Sequence, residues 1–295
     1  MKSAKYTSNV SVAFAPANIS CFFTVRPHPD PRWMGSTGLG FTLDKGVVAE
    51  VSKIFKSSRQ ARTLKSEVFF NGKKIKFPTV LSVIKMLTAE TIIVWISSEL
   101  SLGHGFGLSG ASAIAVAYAL NKLLKLKKTK KELAIIAHTA EVKNKTGLGD
   151  VVNQYFGGFF LKTKPSSRFL VKRISLPEKY VYIRHLSPIQ TKSILTNKKL
   201  VGRINNAGER AIRKIKQLNI GMANEIHFSD IIDISKEFAK QSGLLKDRQT
   251  KKTIEQIEKN NNHASMIILG NGVFSNKPFA GSKKFTISNR KAEVL

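Results

Sequence analysis

The stretch Gly103-His-Gly-Phe-Gly-Leu-Ser-Gly-Ala-Ser112 runs straight into Ala113-Ile-Ala-Val-Ala-Tyr-Ala-Leu-Asn121, and it constrains the fold more than any other segment. Glycines let a backbone turn tightly and bring its N–H groups close to a ligand. An apolar, alanine-rich helix opening directly from such a loop adds unpaired N–H donors and a partial positive charge. Together these make a cradle for phosphate across Gly103, Gly105, Phe106, Gly107, Leu108, Ser109, Gly110, Ala111 and Ser112. Ser109 and Ser112 sit where a hydroxyl caps the helix or touches a phosphate-bound Mg²⁺. The competing reading is a plain glycine turn before a buried helix, and the motif alone leaves both open.

A chain of 295 residues has room for a substantial core and two domains. No uncharged apolar run reaches the roughly 18 residues that span a bilayer. Met1 to Val10 has no long apolar segment behind it, so no signal peptide is expected. A single cysteine, Cys21, excludes an intramolecular disulfide and fits a reducing cytoplasm. It falls in an expected strand, as a packed small residue rather than a nucleophile. The charge is lopsided, with 49 Lys+Arg against 19 Asp+Glu, a formal +30. Three explanations fit: a general solubility bias, a field that attracts an anionic small substrate, and nucleic-acid binding. The excess is spread over both halves, and no interleaving of aromatic and basic residues marks a single-strand binder.

Periodicity and turn chemistry predict alternating strands and helices. Strands are expected at Val10 to Phe14 and Ser20 to Val25, interrupted by Ala15-Pro-Ala-Asn18, and a glycine-rich turn at Gly35 to Gly40. Phe41 to Asp44 and Val47 to Val51 read as a hairpin about Lys45-Gly46, and Glu67 to Ile75 as another about Asn71-Gly72. Thr91 to Ile96 reads as a buried strand. Thr129 with Glu132 makes a capping box for a helix through Lys143. Phe159 to Thr163 and Lys179 to Arg184 are strand-like. Helices then dominate at Lys192 to Val201, Ala207 to Gln217, Ile231 to Lys240 and Gln249 to Lys259, before a strand at Met266 to Leu269. The shift from strand-rich to helix-rich sequence suggests a boundary near 165–190.

Two acids are singled out in this basic chain. Glu141 lies late in the helix from Thr129, and Asp150 follows nine residues later, after the turn Asn144 to Gly149. Phosphoryl transfer needs a metal on the phosphates, donors around them, and a carboxylate to position or deprotonate the attacking hydroxyl. Ser109 and Glu141 can supply metal oxygens, since Mg²⁺ takes few protein ligands, and Asp150 can act on the hydroxyl. Equally, Asp150 can cap the next helix and Glu141 can be a surface charge. His138 lies one turn before Glu141 on the same face. It faces the same cavity if Glu141 does, and is otherwise a core histidine. The chain has neither a G-x-x-x-x-G-K-[ST] loop nor a histidine-arginine-aspartate catalytic loop.

At this point the motifs resemble those of the GHMP kinases. Ala15-Pro-Ala-Asn-Ile19 resembles their N-terminal motif, Gly103 to Ser112 the central phosphate motif, and Ala264-Ser-Met-Ile-Ile-Leu-Gly-Asn-Gly-Val-Phe274 the C-terminal one. Within that superfamily the nearest resemblance is to the archaeal pantoate kinases. It rests on Pro29-Asp-Pro31 leading to Gly35-Ser-Thr-Gly-Leu-Gly40, Leu43-Asp-Lys-Gly-Val47, and Ala140-Glu-Val-Lys-Asn-Lys-Thr-Gly-Leu-Gly-Asp-Val-Val152 with Gly157-Gly158.

The resemblance implies an α+β, two-domain fold: an N-terminal domain like ribosomal protein S5 domain 2 over residues 1–170, and a ferredoxin-like domain over 171–295. It implies ATP-dependent phosphorylation of the 4-hydroxyl of pantoate in coenzyme A biosynthesis, in the cytoplasm, with ATP and Mg²⁺. By motif matching, residues 103–112 wrap the ATP phosphates, Ser109 and Glu141 hold Mg²⁺, and Asp150 is the base. Ser36, His138 and Lys162 meet pantoate, although lysine lacks the two-pronged geometry of an arginine. Ala17-Asn18 departs from the superfamily, where many members have glycine and a cation. A homodimer is carried by the resemblance alone. Two alternatives stay open: a GHMP kinase for homoserine, mevalonate or shikimate, and a basic RNA-binding protein on an S5-like fold.

Overall fold

Apolar residues nearly continuous from Val10 to Arg26 and from Gly35 to Lys53 form two long antiparallel strands, β1 and β2, buried on both faces. The structure is a computed structural model that describes residues 10–54, 65–218 and 226–295, so the leader expectation for Met1 to Asn9 lies outside the described residues. The expected break at Ala15 to Asn18 is instead a register shift within β1, between Pro16 and Asn18. Proline is tolerated at such a bulge because the ladder there needs no N–H. Gly35 to Gly40 is likewise strand and not turn, and no hairpin forms at Lys45-Gly46. The glycines serve close backbone contact: a Cβ at Gly38 would stand 2.2 Å from the Phe22 carbonyl oxygen, and one at Gly46 would stand 2.1 Å from that of Ala15.

Next come β3 (Glu67–Phe70) and β4 (Lys73–Lys74), joined at Asn71 and Gly72, both with positive φ as the expected two-residue hairpin turn requires. Helix α1 (Pro78–Leu87) was not anticipated by periodicity, although Pro78 sits in its favoured first turn. Strand β5 (Ile92–Ser97) leads through the glycine loop into α2 (Leu108–Leu123). Helix α3 (Lys130–Asn144) carries the expected capping box, in which Thr129 accepts from the Glu132 N–H. Then follow α4 (Asp150–Phe156), β6 (Phe159–Lys162) and β7 (Lys172–Arg173). Strand β8 (Tyr180–Pro188) is followed by α5 (Thr191–Leu195) and α6 (Lys198–Leu218); the expected helix Lys192 to Val201 is divided between these two, and α6 also takes in the expected helix Ala207 to Gln217. Helices α7 (Phe228–Ser242) and α8 (Arg248–Glu258) precede β9 (Ala264–Met266), β10 (Gly270–Ser275), β11 (Lys283–Thr286) and β12 (Glu293–Val294).

The strands form two sheets. The larger has the order β12-β1-β2-β5-β3-β4, with β6 and β7 branching from β2, and the smaller is antiparallel, β11-β8-β10-β9. This is a mixed α+β architecture. Helix α2 packs across β1 and β2, while α7 and α8 cover the smaller sheet. Aromatic rings join the two halves: Phe41 of β2 stacks on Phe159 of β6 at 5.1 Å and meets Phe228 of α7 edge-on at 5.6 Å, and Phe228 lies 6.2 Å from Phe274 of β10. A single hydrophobic cluster therefore runs through both sheets. Among the described residues no helix is long and apolar enough to cross a membrane.

Candidate active site

The start of α2 is bare. Its N-cap is Gly107, in the left-handed region at φ 60°, no side chain caps it, and no acid occupies its first turn. The first N–H groups of the helix are therefore left for an anion. They border a cavity of about 400 Å³ whose lining includes Gly103, Gly105, Phe106, Gly107, Leu108 and Ser109. Gly110, Ala111 and Ser112 are buried one step further along the helix. Ser112, expected to reach a cap or a phosphate, is fully buried in α2 and its hydroxyl has no protein partner. Ser109 does face the cavity, with its hydroxyl 3.3 Å from that of Thr79.

Distant segments hold this loop. The Asn18 N–H donates to the Phe106 carbonyl at 2.9 Å, the Ile189 N–H to Gly103 at 3.0 Å, and Gln154 Nε2 to Gly107 at 2.8 Å. Gly105 has φ 81°, and a Cβ there would stand 2.6 Å from Ile267 Cγ2 and 3.0 Å from the Gly270 nitrogen. The segment before β10 thus forms the back wall of the loop.

Glu141 is not a surface charge. It is fully buried beneath Ser109 and the turn after α3, where a Cβ at Gly147 would stand 2.6 and 2.7 Å from its two oxygens. Burial raises its pKa well above the carboxylate range and the nearby Asp150 adds to the rise, while hydrogen bonds from Ser109 and Thr146 offset part of it. Its Oε2 has no hydrogen-bond partner, and neither does Oε1 of Gln154, one turn into α4. Two buried acceptors with no donor fit a small cation or a water. Among the described residues no group of three or more His, Cys, Asp or Glu could cage a metal. Mg²⁺ does not require one, since it keeps most of its waters and takes one or two protein oxygens.

Asp150 is the first residue of α4, with Gly149 rather than Asp150 as N-cap. Its Oδ1 accepts from Asn18 Nδ2 at 2.6 Å and from the Ser20 hydroxyl at 3.5 Å. Among the described residues no hydrogen bond reaches Oδ2. Desolvation raises the pKa of this carboxyl, against the lowering effects of Lys162, Asn18 and Ser20. Asp150 is half-buried and lines both the large cavity and a second, narrower pocket.

That second pocket also brings together Ser36 and Lys162. A Cβ at Gly149 would stand 2.3 Å from the Ser36 hydroxyl and 3.6 Å from Lys162 Nζ, so the bare backbone makes room for both. Lys162 is buried, and desolvation pushes its pKa down to about 8 although Asp150 pulls the other way. The ammonium donates to Asn153 Oδ1 at 2.9 Å and lies 3.5 Å from the Gly149 carbonyl. His138 is not brought to either of these cavities. It is fully buried, with Nε2 2.8 Å from the Met34 carbonyl oxygen and its ring edge-on to Phe169, and desolvation lowers its pKa. Its position one turn from Glu141 is as expected, but the two side chains part to different surroundings. Cys21 is a buried thiol, as expected, whose pKa burial raises out of the reactive range.

Sequence reasoning passed over Asn153 and Gln154. Their signal was their spacing: they lie three and four residues after Asp150 on a helix, and so share its face. It also passed over Lys76, Lys145 and Lys192, which line the large cavity from the loop before α1, the turn after α3 and α5.

Comparison with known proteins identifies the family. Residues 78–158, which hold the glycine loop, Glu141 and Asp150, match the model for the GHMP kinases N terminal domain. The chain is 32% identical over 240 residues to a pantoate kinase of Methanocaldococcus jannaschii, covering 80% of this chain and 82% of that one. It is 29% identical over 290 residues to a pantoate kinase of Methanospirillum hungatei, covering 96% and 91%. Among solved structures, a phosphotransferase related to the CoA biosynthesis pathway superposes with TM-score 0.80 at 25% identity, covering 97% and 98%. A homoserine kinase from Cytophaga hutchinsonii superposes with TM-score 0.67 at 18% identity, covering 99% of each chain, which speaks for the fold alone. On sequence and architecture, the chain belongs to the pantoate kinase branch of the GHMP kinases.

Proposed function

We propose that the chain transfers the γ-phosphoryl group of ATP to the 4-hydroxyl of pantoate, giving 4-phosphopantoate and ADP, in coenzyme A biosynthesis in the cytoplasm. The observation that carries this reading is the position of Asp150 on the wall common to two cavities, one bordered by the glycine loop and the bare end of α2. A phosphoryl donor and a hydroxyl acceptor need to meet on either side of such a group.

The ATP phosphates lie against the N–H groups of residues 107–109, with Lys76, Lys145 and Lys192 around them, in keeping with a basic chain that attracts anions. The acceptor enters the narrower pocket, where the Lys162 ammonium and the Ser36 hydroxyl offer donors to its carboxylate. Phe22 and Phe23 give the wall its apolar part. The acceptor hydroxyl oxygen bonds to the γ-phosphorus as the bond to the β-phosphate oxygen breaks, and the hydroxyl proton passes to Asp150 Oδ2. Burial makes that carboxylate a better base than an exposed one. Ser109 and Glu141 are the residues that would hold Mg²⁺, which when bound neutralises phosphate charge. The unpartnered oxygens of Glu141 and Gln154 support that fit. Buried as it is against the Met34 carbonyl, His138 supports the acceptor pocket from behind rather than touching pantoate.

The test is ADP release by the purified chain with Mg·ATP and each of pantoate, pantothenate, homoserine, mevalonate and shikimate. Release with pantoate alone is the expected result. Release with another acid would keep the fold and move the substrate, and salt-sensitive RNA binding with no release would remove the kinase reading.

A further inference from the structure

Two residues that line the cavities, Lys162 and Asp150, are joined through two buried asparagines by an unbroken hydrogen-bonded line. Lys162 Nζ donates to Asn153 Oδ1 at 2.9 Å, Asn153 Nδ2 donates to Asn18 Oδ1 at 2.7 Å, and Asn18 Nδ2 donates to Asp150 Oδ1 at 2.6 Å. Asn18, Asn153 and Lys162 are all buried, and they come from three elements: β1, α4 and β6.

The two ends of the line decide its direction. An ammonium only donates and a carboxylate only accepts. With Lys162 at one end, Asn153 must present its oxygen there and its NH₂ to Asn18. With Asp150 at the other end, Asn18 must do the same in turn. Flipping either amide would set NH₂ against ammonium or oxygen against carboxylate. Amide orientations are ordinarily ambiguous, but here the charged ends allow one.

We propose that Asn18 and Asn153 are positioning residues, which with Lys162 form a one-way relay that ties down Oδ1 of Asp150 and leaves Oδ2 to face the acceptor hydroxyl. This rests on the kinase reading above and deepens it. Two backbone positions are cleared for the line. A Cβ at Gly40 would stand 2.8 Å from Asn153 Nδ2, and one at Gly107 would stand 3.2 Å from Asn18 Cβ and 3.1 Å from Asp150 Cγ. The relay therefore also fixes Asp150 against the N-cap of the phosphate-binding helix. In this chain a cation on β6 reaches the Asp150 carboxylate through two neutral amides.

The discriminating variant is Asn153→Asp. It is isosteric and gives Lys162 a carboxylate partner, so a merely structural Asn153 tolerates it. A relay does not, because the new carboxylate has no proton for Asn18, which must flip and turn its oxygen toward Asp150. The companion pair is Asn18→Ser, whose hydroxyl can accept and pass on a hydrogen bond, and Asn18→Ala, which cannot. Two readouts are taken on the full chain. In ¹H–¹⁵N spectra, the Asn18 amide proton held by Asp150 is expected downfield of the other side-chain amides and to move upfield in Asn153→Asp. In steady-state assays, Asn153→Asp is expected to lower kcat about 100-fold, the cost of a misplaced catalytic group, with KM for ATP and the melting temperature held. Asn18→Ser should retain more kcat than Asn18→Ala.

An Asn18 resonance that stays put, or a kcat that stays put, overturns the relay. So does a loss of kcat that comes with a lower melting temperature and a raised KM for ATP. If the wild-type chain releases no ADP with pantoate, the substrate reading fails, and the relay is judged on the spectra and on whichever acceptor the panel identifies.

Discussion

Glu141 Oε2 and Gln154 Oε1 converge over Gly110: a Cβ there would stand 2.8 Å from the first and 2.9 Å from the second, and neither oxygen has a hydrogen-bond donor. Two acceptors held this way without a proton between them are costly unless a cation or a proton arrives. Helix α2 can pass between them only because residue 110 lacks a side chain.

Glu141→Gln should therefore trade function for stability. In the folded chain Glu141 holds its proton to higher pH than in the unfolded chain. Its contribution to stability is present below the ordinary glutamate range and is lost as pH rises through the raised folded value. Without metal, the wild-type melting temperature should fall over that window, and the glutamine variant should fall less and melt higher at neutral pH. Its Mg²⁺ titration in the ADP-release assay should move to higher concentration. An unmoved titration would make Glu141 structural.

Asp150→Asn removes the proton acceptor while keeping shape. The expected result is a kcat lower by about 10²–10⁴-fold, the usual worth of a general base, with ATP affinity close to wild type by titration calorimetry. Turnover at the wild-type rate would show that geometry alone activates the hydroxyl.

Gly105→Ala places a methyl 2.6 Å from Ile267 Cγ2 at a backbone φ of 81°. Strain of this kind costs about 1–3 kcal/mol. The loop should lift from the segment before β10, with KM for ATP rising more than kcat falls and the melting temperature dropping.

Ser112→Ala removes a buried hydroxyl that has no partner. Deleting an unsatisfied buried group is neutral or stabilising, by up to about 1–3 kcal/mol. Activity and KM for ATP should not change. A loss of nucleotide affinity would restore Ser112 to the phosphate site.

What the sequence made legible was chemistry carried by local spacing. The capping box at Thr129 and Glu132, the turn at Asn71-Gly72, and the loop that opens into α2 each depend on residues within a few positions of one another. What it hid depends on partners far along the chain. Gly38 and Gly46 read as turns because a glycine's use in close strand contact is invisible until the neighbouring strand is known. His138 and Glu141 share a helix face, yet the carbonyl of Met34, 104 residues away, claims the histidine. Asn153 looked like any helix residue because its meaning comes from Asn18, 135 positions earlier.

The contact of Gly105 with Ile267 and Gly270 also bears on biosynthesis. The loop takes its shape against residues made more than 160 positions after it, so a ribosome must translate past Gly270 before the loop has its back wall. A nascent chain still short of that point has the glycine motif but not the wall that shapes it.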